Sequence, residues 1–290
     1  QVFGSHWSDE TWHEVLCLAA GMIHPNSLAS ILEFLLDQPD PEQTCQHIFL
    51  ATRCVGEVRK GSDLGGVVNI VKQRLTDLAQ FELDYPYYPW DEDSDKVRLI
   101  RTQAVTLRAN IWDGDLETRD WLKVCALSDG DSNVRQVAMK SLAEGWKDDP
   151  DTLPLLKAQA QSNEIMSVRW GAVLVLALGW KGNPDILSFL KARALSDKDG
   201  SVRRVAVWAL AQYWKEDPDT LPWLKARAKS DKDEGVRRTA VEVLADGWKD
   251  DPDTLPWLKA CAQSDKDEAV RQAALVALAL GWKDDPDTLP

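Results

Sequence analysis

The residues best suited to metal or acid–base chemistry lie upstream of residue 60. Cys17, Cys45 and Cys54 could supply thiolate ligands, and His13 and His47 are close to them in the sequence. Protein zinc sites bring such ligands together at short, fixed spacings. No CxxC or HxxxH spacing completes a ligand set here, so we expect no metal site. The odd total of five cysteines is typical of free thiols in a reducing compartment.

Motifs for phosphate binding and covalent catalysis are also missing. The Gly-Ser-Asp-Leu-Gly-Gly stretch at residues 61–66 lacks the Lys and the preceding strand of a phosphate-binding loop. The sequence contains no GxSxG elbow for a nucleophilic serine. We therefore expect no catalytic residue and no cofactor in this chain.

A row of arginines offers a third kind of chemistry, the binding of anions. Five of them follow a Val, Arg101 follows Ile100, and the series has a period of 34 residues. The row consists of Arg101, Arg135, Arg169, Arg203, Arg237 and Arg271. The even spacing favours a structural ladder over a ligand-binding basic row, because a buried guanidinium requires an acceptor. The expected acceptors are Asp131, Asp199, Asp233 and Asp267.

The arginine row belongs to a longer repeat with the same period. The string GWKDDPDTLP at 145–154 returns at 247–256 and 281–290, with looser copies between them. A fixed period of this size predicts a solenoid, in which each unit buries its apolar face against its neighbours. The recurring tryptophans are Trp146, Trp180, Trp214, Trp248 and Trp282, and their fixed place predicts a packing role.

Each repeat is predicted to form two helices. Helix A follows the Asp-Pro-Asp-Thr segment, and helix B begins at an Asp just before the Val-Arg pair. Counted from Val, the first, fifth, sixth, ninth and tenth residues of helix B should face the core. The third, fourth, seventh and eleventh should face outward.

Two neighbouring copies of helix B carry apolar residues at outward positions. We predict an exposed binding patch of Trp170, Leu174, Arg204, Trp208 and Arg238. Gly171 and Val205, at the fourth position, should also face outward. Exposed tryptophan beside arginine is typical of a binding hot spot. The alternative is a docking face for another part of the same protein.

One repeat departs from the pattern. Ile165 replaces the capping Asp, Gly182-Asn183 replaces Asp-Asp, and Ser188 replaces Pro. We expect the ladder to be broken there, so that Arg169 or a neighbouring Arg finds another acceptor or lies nearer solvent, and the solenoid is softest at this repeat.

The repeated residues carry a family resemblance. The pattern VRxxAVxxLAxGW followed by KDDPDTLP resembles HEAT-like repeats of the phycobilisome-lyase type. It resembles more closely the repeats that end certain bacterial, especially cyanobacterial, NACHT-family STAND NTPases. The stretch at 6–23 is similar to the helical segment that follows the nucleotide-binding module in those proteins. We accordingly expect a helical region over 1–92 and a HEAT-like, all-α solenoid over 93–290.

The resemblance also implies a functional setting. It implies that the chain is a piece of a longer protein whose NTPase module is a partner of the solenoid. Its ligand would be a protein or foreign component on the concave face, and its role would be sensing in antiviral defence.

Charge limits the other partners. The net charge is −13 and the pI about 4.8, with acidic residues at every turn between repeats, so nucleic acid is a disfavoured ligand. No apolar run is long enough for a membrane span, and we expect a cytoplasmic protein without a membrane partner.

The function predicted is that of a non-catalytic recognition or scaffold module. The alternative is enzymatic, either a phycobilin-lyase-type subunit for chromophore transfer or a HEAT-like DNA glycosylase.

Overall fold

The computed structural model describes residues 2–58, 64–88 and 90–283. Residues 61–63 of the glycine-rich stretch and residues 284–290 of the last repeated string lie outside the described residues. Every regular element in the described part is a helix, and consecutive helices pack in pairs. The fold is an all-α solenoid, as the period predicted.

The chain divides into two compact units, Gln1–Lys147 and Asp148–Pro290. The boundary predicted between residues 92 and 93 is a different division, drawn from the repeat pattern alone, and it stays a prediction.

The first unit contains eight α-helices and one short 3-10 helix, Glu10–Trp12, within the described residues. Leu16, Leu32, Phe49 and Leu75 are among the fully buried side chains of its core. The α-helices are α1 Val2–His6, α2 His13–Ala20, α3 Pro25–Leu36, α4 Gln46–Gly56, α5 Val67–Leu78, α6 Glu92–Ile111, α7 Leu116–Ser128 and α8 Ser132–Gly145.

The second unit consists of four helix pairs, in which each helix A packs against the following helix B. Neighbouring B helices also pack against one another, so that α10, α12, α14 and α16 form one layer. The helices are α9 Thr152–Ser162, α10 Met166–Gly179, α11 Pro184–Ser196, α12 Gly200–Tyr213, α13 Thr220–Ser230, α14 Glu234–Gly247, α15 Thr254–Ser264 and α16 Glu268–Gly281.

Aspartates fix the starting points of most B helices. The carboxylates of Asp199, Asp233 and Asp267 accept backbone N–H groups in the first turns of α12, α14 and α16. Such caps satisfy donors that have no partner within the helix. The carboxylates of these aspartates are therefore engaged in hydrogen bonds to the backbone at the start of each helix.

In the irregular pair, α10 and α11, the side-chain cap lies at the start of helix A instead of helix B. Ile165 precedes α10 and gives no side-chain cap, whereas Asn183 caps α11 by accepting the N–H groups of Asp185 and Ile186. Gly182 permits this turn, because its φ of 76° lies in the left-handed region. The three other A helices of the second unit lack a side-chain cap.

The inner face follows the predicted phase in α8, α10 and α12, but in α16 the predicted core residues Leu275 and Ala279 are exposed. In α10 the five core positions are all buried, and the same holds for α8 and α12. The prediction for the fourth position was wrong, because Gly171 and Val205 are buried too. At that position the helix still faces its neighbour in the layer of B helices rather than solvent.

The recurring tryptophans end the B helices as C-caps. The indoles of Trp146, Trp180 and Trp214 are buried, while those of Trp248 and Trp282 are half-buried. Burial of large aromatic side chains is a major source of packing energy, so the first three have the packing role that their fixed spacing predicted.

Candidate functional site

A surface depression of the second unit lies on its layer of B helices. Trp170 and Leu174 of α10 and Arg204 and Trp208 of α12 line a cavity of about 640 Å³. Residues of α14, including Glu242, complete the wall. We call this cavity the tryptophan groove. Four of the five predicted patch residues meet there.

The apolar side chains of the tryptophan groove remain accessible. Trp208 is 36% exposed, and Trp170 and Leu174 are half-buried. Apolar surface contributes to folding stability when it is buried, so an indole left in contact with water does not contribute fully to that stability. An accessible pair of indoles on one wall is the composition that protein-binding sites favour.

Trp208 is held in place by an aromatic neighbour. Its ring contacts Tyr213 edge-on, with 5.9 Å between ring centroids. The Nζ atom of Lys181 lies 4.6 Å from the Tyr213 ring centroid on the other side. The repeats that align with Tyr213 have Gly at this position, such as Gly179 and Gly247. This aromatic support was not part of the predicted patch, although that substitution is visible in the sequence.

The charges of the tryptophan groove are of both signs. Arg204 of α12 is exposed, and Glu242 and Asp246 of α14 also line the groove. Arg238, the fifth predicted residue, does not line this groove. Its Nε atom donates to Glu242 Oε1 at 2.7 Å, and its side chain lines a second cavity between α14 and α16.

The predicted ladder arginines occupy the inner side of the B layer. Arg169 of α10 donates from Nε and Nη2 to the two carboxylate oxygens of Asp197, both at 3.0 Å. Arg203 binds Asp231 in the same way, and Arg237 binds Asp265 at 3.3–3.4 Å. The acceptor is always 28 residues further along the chain.

The acceptors differ from those expected. The expected acceptors Asp131, Asp199, Asp233 and Asp267 cap α8, α12, α14 and α16 instead of binding the arginines of their own helices. Asp267 also lies 4.0 Å from Arg237 of the preceding pair, as a secondary partner. The main acceptor precedes each capping Asp by two residues and ends helix A. Its carboxylate also accepts the N–H of the capping Asp, as Asp197 does from Asp199 at 3.0 Å.

The prediction of a broken ladder at the irregular repeat was wrong for Arg169, whereas the neighbouring Arg135 keeps its buried Nε and Nη2 without a hydrogen-bond partner in the described structure. Arg169 is 2% exposed and binds Asp197 with both arms of its guanidinium. Its Nη1 donates to the carbonyl oxygens of Asn163 and Glu164. Because the acceptor belongs to the following turn, loss of the Asp cap at Ile165 leaves this ion pair intact.

Three predicted arginines remain, and two of them, Arg135 and Arg271, have no carboxylate partner among the described residues. Arg135 Nη1 donates to the carbonyl of Asp129 at 2.6 Å, and Arg271 Nη1 to the carbonyl of Asp265 at 2.7 Å. In the first unit, Arg101 binds the carboxylate of Asp129 at 2.8 Å. The ladder therefore combines turn carbonyls with carboxylates.

The pKa of the acceptor aspartates reflects this pairing. Burial raises the pKa of Asp197, but hydrogen bonds from Arg169 and from the N–H of Asp199 outweigh it, and the net pKa is lowered. The pKa of Asp231 is lowered for the same reasons, with Arg203 as the donor. Both carboxylates are thus ionised partners of buried guanidinium groups at neutral pH.

A second series of ion pairs, not predicted, lies on the A helices. Lys191 Nζ is 3.7 Å from Asp217, and Lys225 Nζ is 3.4 Å from Asp251. The lysines share the 34-residue period, which could have revealed them. Their side chains are about one-fifth exposed, so these pairs contribute less than the arginine pairs.

Two of the upstream candidates, Cys45 and His47, are buried in the first unit. Burial and the neighbouring Asp40 raise the pKa of Cys45 to about 12, which makes it a protonated thiol at neutral pH. Burial lowers the pKa of His47, against the opposing effect of Asp40. No group of three metal-ligating side chains occurs among the residues described.

Comparison with known families identifies the repeats. A family profile described as HEAT repeats matches residues 119–211, 167–245 and 187–279. These matches together span 119–279, more than half of the 290 residues. The chain is a HEAT-repeat protein. HEAT repeats generally build non-catalytic scaffolds and commonly mediate protein interactions.

Other comparisons add no functional information about these HEAT repeats. No curated protein matches the sequence significantly. Among solved structures, the chain is similar to the X-ray structure of Escherichia coli YibA, with 18% identity and a TM-score of 0.46. That alignment covers 95% of this chain and 92% of YibA. Of the helices in the described ranges, none has the length and apolar character needed to cross a membrane.

Proposed function

We propose that this chain is a non-catalytic recognition module and that the tryptophan groove binds a segment of a partner protein. The observation that carries the proposal is the accessible indole of Trp208, which is supported by Tyr213 and lines the same groove as Trp170 of the neighbouring B helix. Indoles in fixed orientations lose little conformational entropy when they bind a ligand.

The charges of the groove favour a polypeptide over nucleic acid. Arg204 is the single cation in the described lining of the groove, which also contains Glu242 and Asp246, whereas a phosphate backbone needs a continuous basic stripe. Polypeptides carry both apolar side chains and charges of either sign. A protein segment therefore matches the groove better than the chromophore or DNA substrates of the enzymatic alternatives.

Selection from a displayed library of random peptides would test this proposal. We expect the wild-type chain to enrich peptides whose binding is lost in the variant Trp170→Ala with Trp208→Ala. A matched control is Trp223→Ala, which removes a half-buried indole from α13 outside the groove. Enrichment of the same peptides by the groove variant would contradict the proposal.

We further propose that the module is the sensor end of a bacterial NACHT-family STAND NTPase and acts in the cytoplasm in antiviral defence. The support is the resemblance of the VRxxAVxxLAxGW repeats and of residues 6–23 to parts of those proteins. In that setting a ligand on the B helices would bias an attached NTPase module toward its active state.

The open reading frame that encodes this chain tests the context directly. We expect it to encode a nucleotide-binding module upstream of residue 1. If it does, the groove variant should abolish protection of bacteria from phage and leave nucleotide binding unchanged. A reading frame without such a module would exclude the NTPase context but not the recognition role of the groove.

A further inference from the structure

We propose that the bound segment crosses α14 in an extended conformation and places one apolar side chain in each of two neighbouring grooves, with a basic side chain between them. This inference rests on the proposed function and specifies the chemistry of its ligand.

The second groove lies between α14 and α16 and has a cavity volume of about 570 Å³. Small residues, Ala245, Ala269, Ala273 and Ala277, form much of its lining, and we call it the alanine groove. Val276 and Leu280 stand at its edge, 58% and 78% exposed. An open apolar slot lined by alanines can accept one large aliphatic or aromatic side chain.

The two grooves share one wall. Glu242 and Asp246 of α14 line both the tryptophan groove and the alanine groove. Arg238 neutralises Glu242 in part, through the 2.7 Å contact described above. Asp246 is exposed, and no ion pair to it is found among the described residues. A carboxylate between two apolar slots favours a ligand with a Lys or Arg between two apolar side chains.

The spacing of the B helices sets the spacing of the ligand's side chains. Packed helices lie about 8–10 Å apart, so successive grooves are separated by about the same distance. An extended chain advances about 3.3 Å per residue, and residues i and i+3 are therefore about 10 Å apart. The ligand should carry its apolar side chains at i and i+3, with the basic residue at i+1 or i+2.

An extended segment fits these grooves better than a helix. A helix with its side chains is about 10–12 Å wide, which is broader than the space between two adjacent B helices. It would rest on the ridge of α14 and leave both slots unfilled. An extended chain crossing that ridge can insert single side chains on either side of Asp246.

Fluorescence anisotropy with defined synthetic peptides would test the inference. The probe is a labelled Gly/Ser peptide that contains Trp-Ser-Lys-Leu, which has anchors at i and i+3 and Lys at i+2. Its controls replace Leu by Ser, replace Lys by Glu, or move the anchors to i and i+2. We expect binding about tenfold weaker without Leu. We expect it about fivefold weaker with Glu.

Two protein variants assign these effects to the alanine groove and the shared wall. Asp246→Asn should remove most of the preference for Lys over Glu. Ala273→Leu should fill the alanine groove and remove the gain in affinity that the Leu of the peptide provides. The control peptide in which Ser replaces Leu should bind this variant as tightly as it binds the wild-type chain. Glu144→Gln is the matched control, because Glu144 holds the eleventh position of α8 and lines neither groove.

The outcomes separate this inference from the proposed function. If neither Asp246→Asn nor Ala273→Leu changes peptide preference, but the double tryptophan variant still abolishes library binding, the two-groove inference is wrong and the recognition role stands. Equal binding of all the peptides, or of none, by the wild-type chain also overturns the inference.

Discussion

Arg203 and Asp231 form a two-armed ion pair across 28 residues of sequence. Arg203 Nη2 lies 2.8 Å from one carboxylate oxygen of Asp231, and Nε lies 3.1 Å from the other. The remaining Nη1 donates to the carbonyl of Asp197 at 2.9 Å. Arg203 thereby ties the turn of its own helix pair to the turn of the next pair, and both partners are buried.

Removing the carboxylate of Asp231 should destabilise the protein strongly. Asp231→Ala leaves the buried guanidinium of Arg203 without its counterion, which costs about 3–5 kcal/mol of unfolding free energy. Urea unfolding followed by circular dichroism would measure it. Asp219→Ala is the control, because Asp219 is exposed and makes no side-chain cap. A cost for Asp231→Ala no greater than that of the control would show that the pair is not a stabilising contact.

The aspartates of the ladder should make stability depend on acid pH. The folded-state pKa values of Asp197 and Asp231 are lowered, so their contribution is complete above the ordinary Asp pKa of about 3.9. This stabilisation is lost as the pH falls from the ordinary Asp pKa through the lowered pKa of the folded state. Urea midpoints should therefore fall steeply in this range. The double variant Asp197→Asn with Asp231→Asn should fall less steeply than wild type, and an equal slope would contradict the assignment.

A cap added to α10 should stabilise the irregular pair. Ile165 has φ −78° and ψ 119°, close to the −88° and 125° of the capping residue Asp131. Ile165→Asp should therefore cap α10 without rearrangement of the backbone and raise the unfolding free energy by about 1 kcal/mol. Hydrogen exchange should show slower opening of the first turn of α10. Ile165→Ser serves as a second capping residue, and no gain from either would argue against a missing cap.

The recurring tryptophans should differ in energetic importance. Trp214 is 5% exposed, and Trp214→Ala should cost about 3–5 kcal/mol. Trp248 is half-buried, and its replacement by Ala should cost less. Trp214→Phe should be milder than Trp214→Ala, since the buried Nε1 of Trp214 has no hydrogen-bond partner in the described structure. Thermal unfolding of the three variants would rank their losses of stability. Equal losses for Trp214→Ala and Trp248→Ala would refute the predicted ranking.

The indoles of the tryptophan groove should be dispensable for folding. Trp170→Ala with Trp208→Ala removes partly exposed side chains, neither of which occupies an inner-face position of its helix. We expect an unchanged circular dichroism spectrum and a loss of no more than about 2 kcal/mol. Tyr213 contacts Trp208 and is the expected source of any residual loss. Collapse of the fold would show that these indoles serve packing rather than binding.

The sequence predicted helix pairs and the inner face of the B helices because both follow directly from the 34-residue period and helical phase. Phase also placed Trp170, Leu174 and Trp208 at outward positions, and the structure arranges them around one groove. Their binding role stays a prediction.

The partners in the ladder could not be chosen from spacing alone. Asp197 and Asp199 are two residues apart in one turn, and the path of the backbone decides which of them meets Arg169. The prediction that Ile165 deprives Arg169 of its acceptor failed for the same reason, because that acceptor, Asp197, lies in the following turn. The wall formed by Glu242 and Asp246 was missed because it arises only when three B helices lie side by side.

The spacing of the ion pairs in the ladder also affects how the gene can gain or lose whole repeats. Arg169, Arg203 and Arg237 each take a carbonyl six residues before them and a carboxylate 28 residues after them, which together make one repeat. Loss of residues 198–231 by recombination between similar repeats would leave Asp197 to serve both Arg169 and Arg237. Deletions or duplications in steps of one whole repeat therefore re-form every buried ion pair at the junction. Such a gene can vary the number of its repeats, and hence the extent of its binding surface, without first losing a stable fold.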